Sequence, residues 1–277
     1  MKITKNIKKM LSFTLLSSVL TVQANTNTLT APKSLSDLFK KERLGMALQT
    51  YNSTIGTSDN IDGISQLNIA NLYYTITPND SLRWQNQVTT RFESGVDTEY
   101  TYTKSILKYT RSGILSQDKH GVNMSAAFEK RYLTDAGNRT SSNTYGHNRI
   151  STSLSRKIND KLSLGSTFFV ALNDLRDSSN KETTRNYFLG IFSQSISLPK
   201  EISLTFFQEV FKANNGIDSN ESESITFNAD VSRSITDKLG MGFTVYSTPW
   251  SGSDELNYNN DFYKNLTYEL GLNYRAF

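Results

Sequence analysis

Cysteine is absent from the 277 residues and histidine occurs only twice. The first absence excludes structural disulfides, thiolate metal sites, a cysteine nucleophile and a lipid-modified N-terminal cysteine. The second leaves little for imidazole catalysis. Long apolar runs are also missing: the richest stretch, residues 10–22, is about 13 residues long, against the ~20 that a membrane-crossing helix needs. With 36% hydrophobic and 20% charged residues the chain is too polar for a bundle of such helices. No glycine-rich phosphate loop stands between a strand and a helix, and no His/Asp/Glu spacing fits a metal, so no cofactor and no metal are expected.

What is present begins with an export signal over residues 1–24. Lys2, Lys5, Lys8 and Lys9 form a basic start, Leu11 to Val22 an apolar middle, and Val22-Gln23-Ala24 a small-x-small cleavage site. The net charge of +4 resides in those four lysines, because the signal contains no acid and the remainder carries as many acids as bases. The mature chain therefore has no basic excess with which to hold nucleic acid. Residues 25–42 are polar, then place Leu35, Leu38 and Phe39 at helical spacing before Lys40, Lys41 and Arg43. A periplasmic lead-in with one helical turn is expected there, since so short a segment could fill little of a barrel interior.

From residue 43 to 277 a two-residue period recurs, the mark of strands with one oily and one wet face. The clearest case is 162–172, where Leu162, Leu164, Phe168, Val170 and Leu172 alternate with Ser163, Gly165, Thr167 and Ala171. Ile202, Leu204, Phe206 and Val210 repeat it, as do Ile225, Phe227, Ala229 and Val231, and Leu239, Met241, Phe243 and Val245. Earlier segments behave alike, beginning with Leu44, Met46 and Leu48. Near Ala70 the oily parity slips between Ile69 and Leu72, which predicts a bulge. Segments 100–111 and 187–198 carry apolar residues on both faces. The count is about twelve strands, and an even number returns both termini to one side.

The connections point the same way. Ile158-Asn-Asp-Lys-Leu-Ser-Leu-Gly165 and Ile235-Thr-Asp-Lys-Leu-Gly-Met-Gly242 are near copies 77 residues apart, four strands by this reading, so both turns lie on one rim. Turns at Pro78 and Pro199 belong with them, proline being placed where it costs no ladder hydrogen bond. Longer polar loops are predicted at 57–63, 135–147, 173–184, 213–224 and 249–260. Short turns on one rim and long loops on the other is the asymmetry of an outer-membrane barrel. Unpaired backbone is too costly in hydrocarbon for such a chain to remain open. The expected architecture is thus an all-β, transmembrane, antiparallel up-and-down barrel with both termini periplasmic.

The last strand alternates Leu266, Tyr268, Leu270, Leu272, Tyr274 and Ala276 with Thr267, Glu269, Gly271, Asn273 and Arg275, and ends on Phe277. The order Glu269-x-Gly271-x-x-Tyr274-x-Ala276-Phe277 resembles the C-terminal targeting signal of bacterial outer-membrane β-barrels, although Phe277 falls on the wet-face parity. This resemblance implies Gram-negative outer-membrane lipid and the barrel-assembly machinery as partners, with Gly271, Tyr274 and Phe277 as signal residues. Amphipathic aromatics settle at headgroup level, so Trp84 and Tyr274 are assigned to the periplasmic girdle and Phe92 and Tyr187 to the outer one. Trp250 is expected beyond the outer rim.

The wet faces carry Arg83, Arg91, Glu129, Arg131, Arg149, Lys157, Glu209, Asp230, Glu269 and Arg275 as pore-lining candidates. Such charges set the ionic preference of a narrow pore. At this strand number the chain broadly resembles monomeric porins that pass acidic oligosaccharides, a likeness of architecture and size only. It implies a channel for small hydrophilic solutes with a mild preference for anions or acidic sugars. The competing reading is a non-conducting structural barrel, or an adhesin or receptor acting through its loops. An enzyme is not expected. Outer-membrane phospholipase barrels place His and Ser two positions apart on a strand, whereas His147 and Ser151 are four apart and His120 and Ser125 five.

Overall fold

In a computed structural model, residues 43–56, 61–93, 98–177, 184–214, 221–251 and 266–276 are described. They form twelve strands: β1 (Leu44–Gly56), β2 (Ile61–Thr75), β3 (Asp80–Glu93), β4 (Glu99–Leu115), β5 (Asn123–Leu133), β6 (Thr144–Lys157), β7 (Leu162–Leu175), β8 (Asn186–Leu198), β9 (Ile202–Asn214), β10 (Glu221–Ser234), β11 (Leu239–Ser251) and β12 (Thr267–Arg275). Each pairs antiparallel with its neighbour in sequence, and β1 closes on β12 through Ala47↔Arg275 to Ser53↔Glu269. Closure satisfies every strand edge, the condition for crossing a bilayer with strands. The expected signal and lead-in, residues 1–42, lie outside the described residues, as does Phe277.

β1 begins and β12 ends at one rim, here the near rim. The turns at 158–161 and 235–238 both lie there, as do those near Pro78 and Pro199. A short helix, α1 (Gln117–His120), joins β4 to β5 on the same rim. A second, α2 (Ala136–Ser141), sits in the far-rim connection from β5 to β6, its N-terminus capped by the Asp135 carboxylate accepting from the Asn138 amide at 2.6 Å.

At the near rim the Asp80 carboxylate gathers Thr77 Oγ1 at 2.5 Å, Tyr109 Oη at 2.6 Å and Arg111 Nη1 at 2.7 Å, tying the β2–β3 turn to β4. Arg43 closes the start of β1 by donating from Nη1 to the carbonyls of Thr75 and Ile76.

Alternation sorts the side chains as the two-residue period requires. Leu44, Leu48, Leu72, Trp84, Leu107, Phe128, Ile150, Val170, Phe192, Phe206, Val231, Phe243 and Tyr274 are large, apolar or aromatic, and exposed on the outer face. A water-soluble barrel would not leave such a band uncovered, whereas lipid covers it. No helix among the described residues is long and apolar enough to cross a membrane.

Several expectations are corrected. No bulge occurs at Ile69–Leu72: β2 runs in unbroken register with β1 and β3 there, and the shift lies at Ile55/Gly56. The parity slip has another cause, because Leu67 and Ile69 point inward while Gln66 and Asn68 point outward. The long loops are shorter than read, since strands extend into them. β6 begins at Thr144, so His147 is a strand residue, and β11 runs through Trp250, which pairs with Ile225 instead of lying beyond the rim.

Candidate functional site: the barrel interior

Register brings the inward charges of β3 to β6 into one row. Arg83 stands opposite Lys108, Lys108 opposite Glu129, and Glu129 opposite Arg149. Two residues further along β5, Arg131 pairs with His147. On β4 the consecutive inward positions are Lys104, Ile106 and Lys108, with Ile106 only 2% exposed. The Glu129 carboxylate is the common partner: Arg131 Nε lies 2.5 Å away, and Arg83 Nη2, Lys108 Nζ and Arg149 Nη1 each 3.8 Å. One buried acid thus holds four cations together, with Lys104 as a fifth beside them. A single carboxylate cannot neutralise that set, so this wall keeps a positive field toward the interior.

Aromatic side chains floor the same wall. The Arg149 guanidinium carbon lies 3.6 Å from the centroid of the Phe169 ring, within cation–π range. Tyr187 Oη lies 3.0 Å from His147 Nε2, and its ring packs on Phe211 at 5.5 Å between centroids.

Six strands away around the ring, the opposite wall is acidic. Glu209 on β9 accepts from Asn228 Nδ2 at 3.0 Å, and Asp230 on β10 accepts from Thr244 Oγ1 at 3.0 Å. Glu269 on β12 faces Thr244 and Ser53. Among the described residues these three acids make no ion pair. The interior is therefore polarised across its width, positive on β3–β6 and negative on β9–β12. At the near-rim mouth the small residues Ser155, Ser163, Gly165 and Ser193 leave a cleft of about 340 Å³.

The predicted site residues divide accordingly. Arg83, Glu129, Arg131 and Arg149 come together, and Glu209, Asp230 and Glu269 face them. Arg91 points inward but stands exposed near the far rim, opposite Glu99. Lys157 lies at the near rim, where its Nζ donates to Asp160 at 2.8 Å and holds that carboxyl below the usual range. Arg275 opposes Ala47 at the same rim. Trp84, Phe92 and Tyr274 face outward, and the Trp84 indole donates to Ser105 Oγ at 3.0 Å. Tyr187 does not belong to the outer girdle. Its parity on β8 turns it inward, where His147 and Phe211 hold it. Gly271 is inward, between Gly242 and Tyr51.

Lys104, Lys108 and Phe169 were missed. The 100–111 segment conceals its lysines among apolar residues on both faces, and Phe169 breaks the wet parity of β7. Because Arg83 and Glu129 stand one strand away on either side of β4, their spacing could have identified its inward face.

Among the described residues neither histidine bonds a serine side chain: His147 meets the Tyr187 hydroxyl, and His120 Nδ1 approaches the Ser116 backbone. Among the described residues no group of three His, Cys, Asp or Glu could hold a metal ion.

No protein-family model and no curated protein matches the chain. Solved structures do. An outer membrane channel from Pseudomonas putida F1 aligns with a TM-score of 0.58 at 12% identity, covering 83% of this chain and 95% of the other. The NanC porin aligns with a TM-score of 0.55 at 7% identity, and the KdgM porin with 0.53 at 10%, each covering 82% of this chain and 98% of the other. At such identities the likeness is one of fold: the chain is built as these outer-membrane channel barrels are.

Proposed function

We propose that the protein is an outer-membrane channel for small hydrophilic solutes, with a mild preference for anions, acidic sugars among them. The near rim is then periplasmic, outer-membrane lipid covers the apolar face, and the barrel-assembly machinery reads the last strand. The observation that carries the reading is the wall of five cations around Glu129. An anion entering the barrel meets uncompensated guanidinium and ammonium groups there, which raise its local concentration. Tyr187, half-buried on the same wall, adds a ring beside which the apolar side of a sugar can lie while its carboxylate meets arginine. The acids of β9–β12 limit the preference, because they attract cations to the other half of the same cross-section. The fold shared with porins supports the channel reading. Nothing in this scheme requires bond breaking, and the chain acts without catalysis.

Planar-bilayer recording tests it. Purified, folded protein is expected to give discrete current steps, with a reversal potential under a potassium chloride gradient that favours chloride. Liposome swelling should be faster with an acidic sugar than with a neutral one of equal size. Folded protein that produces no current steps would overturn the proposal.

A further inference from the structure

The outer face of β1–β3 is oily at its ends and polar in its middle. Thr50, Asn68 and Asn86 occupy the centres of their strands, and Asn52 and Gln66 adjoin them. All five share the outward parity of Leu48, Leu72 and Trp84. They form a linked set. Thr50 Oγ1 donates to Asn68 Oδ1 at 2.5 Å, Asn68 Nδ2 to Gln66 Oε1 at 3.3 Å, and Gln66 Nε2 to Asn52 Oδ1 at 3.0 Å. Asn52 Nδ2 reaches the Leu270 carbonyl at 3.4 Å, and Tyr102 Oη donates to Asn86 Oδ1 at 2.5 Å. Ala70 lies among them, between Leu48 and Asn86.

The set does not satisfy itself. Four primary amides carry two N–H donors each; Asn52, Gln66 and Asn68 donate one apiece and Asn86 none, which leaves five N–H groups without an acceptor among the described residues. Each of the four amide oxygens accepts one bond and has a second lone pair spare. In hydrocarbon every such group costs free energy. The outward ion pair of Lys130 with Asp174, joined by Asn148, differs in kind, because there opposite charges close on one another.

We propose that this face is the contact between two copies of the chain, paired about a two-fold axis near Ala70. The chemistry selects the occupant. Acyl chains offer neither donors nor acceptors, and anionic headgroups offer acceptors alone. A second copy brings spare donors and acceptors in nearly equal number, which is what a surface needs in order to meet itself. Ala70 adds no bulk to hold the two sheets apart. The inference rests on the outer face meeting lipid and is independent of conduction.

The absence of native cysteine makes the test direct. In proteoliposomes, Ala70→Cys is expected to cross-link into a dimer with a short bis-maleimide, while Phe192→Cys, on the outer face of β8 six strands round the barrel, is not. In the Ala70→Cys background, Asn52→Leu/Gln66→Leu/Asn68→Leu should reduce the dimer at least about tenfold, equivalent to ~1.4 kcal/mol, with the β-type circular dichroism retained. Asn68→Leu alone serves as a milder variant should the triple change impair folding. Three results would overturn the pairing: a monomer in lipid, a dimer unaffected by the leucine variants, or cross-linking of Ala70→Cys in native membranes to a different protein only. Current recorded from the same samples reports on the channel separately, so either reading can fail alone.

Discussion

Glu129 decides how the basic wall holds together. It is 4% exposed as a residue and stands within 4 Å of Arg83, Lys108, Arg131 and Arg149. Glutamine keeps its shape and removes its charge, so four cations are left facing one another with no counter-charge. Breaking a buried ionic group from one side costs about 3–5 kcal/mol, and the cations here, still partly in contact with water, place the cost near the lower end. Glu129→Gln is therefore expected to lower stability by about 3 kcal/mol in denaturant titrations of the reconstituted barrel. It should also shift the reversal potential further toward chloride. Loss of stability without that shift would mean that permeating ions do not pass this wall.

At the scale of the strand, backbone conformation identifies a weak point. The β8–β9 turn holds Lys200 at φ 63° and Glu201 at φ 59°, left-handed values that cost a residue bearing a Cβ about 1–2 kcal/mol. Glycine avoids that cost but gives back part of the gain in chain entropy. Glu201→Gly should stabilise the barrel by about 0.5–1 kcal/mol, read as a higher denaturation midpoint with an unchanged slope.

The strands themselves were legible because most obey one rule, oily outward and wet inward. β10 and β12 follow it closely, β7 and β9 follow it apart from inward phenylalanines such as Phe169 and Phe211, and the periodicity alone gave the correct faces for Glu209, Asp230 and Glu269. β2 and β4 were harder for a physical reason. The middle of β2 inverts the rule, with Leu67 and Ile69 inside and Gln66 and Asn68 outside, and an inversion looks like a bulge when only hydrophobicity is followed. β4 and β8 place apolar residues on both faces, which concealed Lys104 and Lys108 and sent Tyr187 to the wrong side. Closure of the ring resolves these cases, since only the neighbours across the ladder decide which face is inside.

At the scale of the whole molecule, the order of strands around the ring separates charge. β3–β6 and β9–β12 are half a turn apart, so five cations with one acid look across the interior at three acids that make no ion pair among the described residues. If this field sets selectivity, its reach must follow the screening length, about 10 Å at 0.1 M salt and about 3 Å at 1 M. At the lower concentration the basic wall acts on ions about 10 Å from it. At the higher one it acts only on those touching it. The chloride preference measured by reversal potential is therefore expected to be clear at 0.1 M and nearly lost at 1 M. Glu209→Gln/Asp230→Asn/Glu269→Gln should enlarge the preference at 0.1 M and change it little at 1 M, because the acids oppose the basic wall through the same screened field. A preference that stays constant across this range would instead place selectivity in direct contact between the solute and individual side chains such as Arg149.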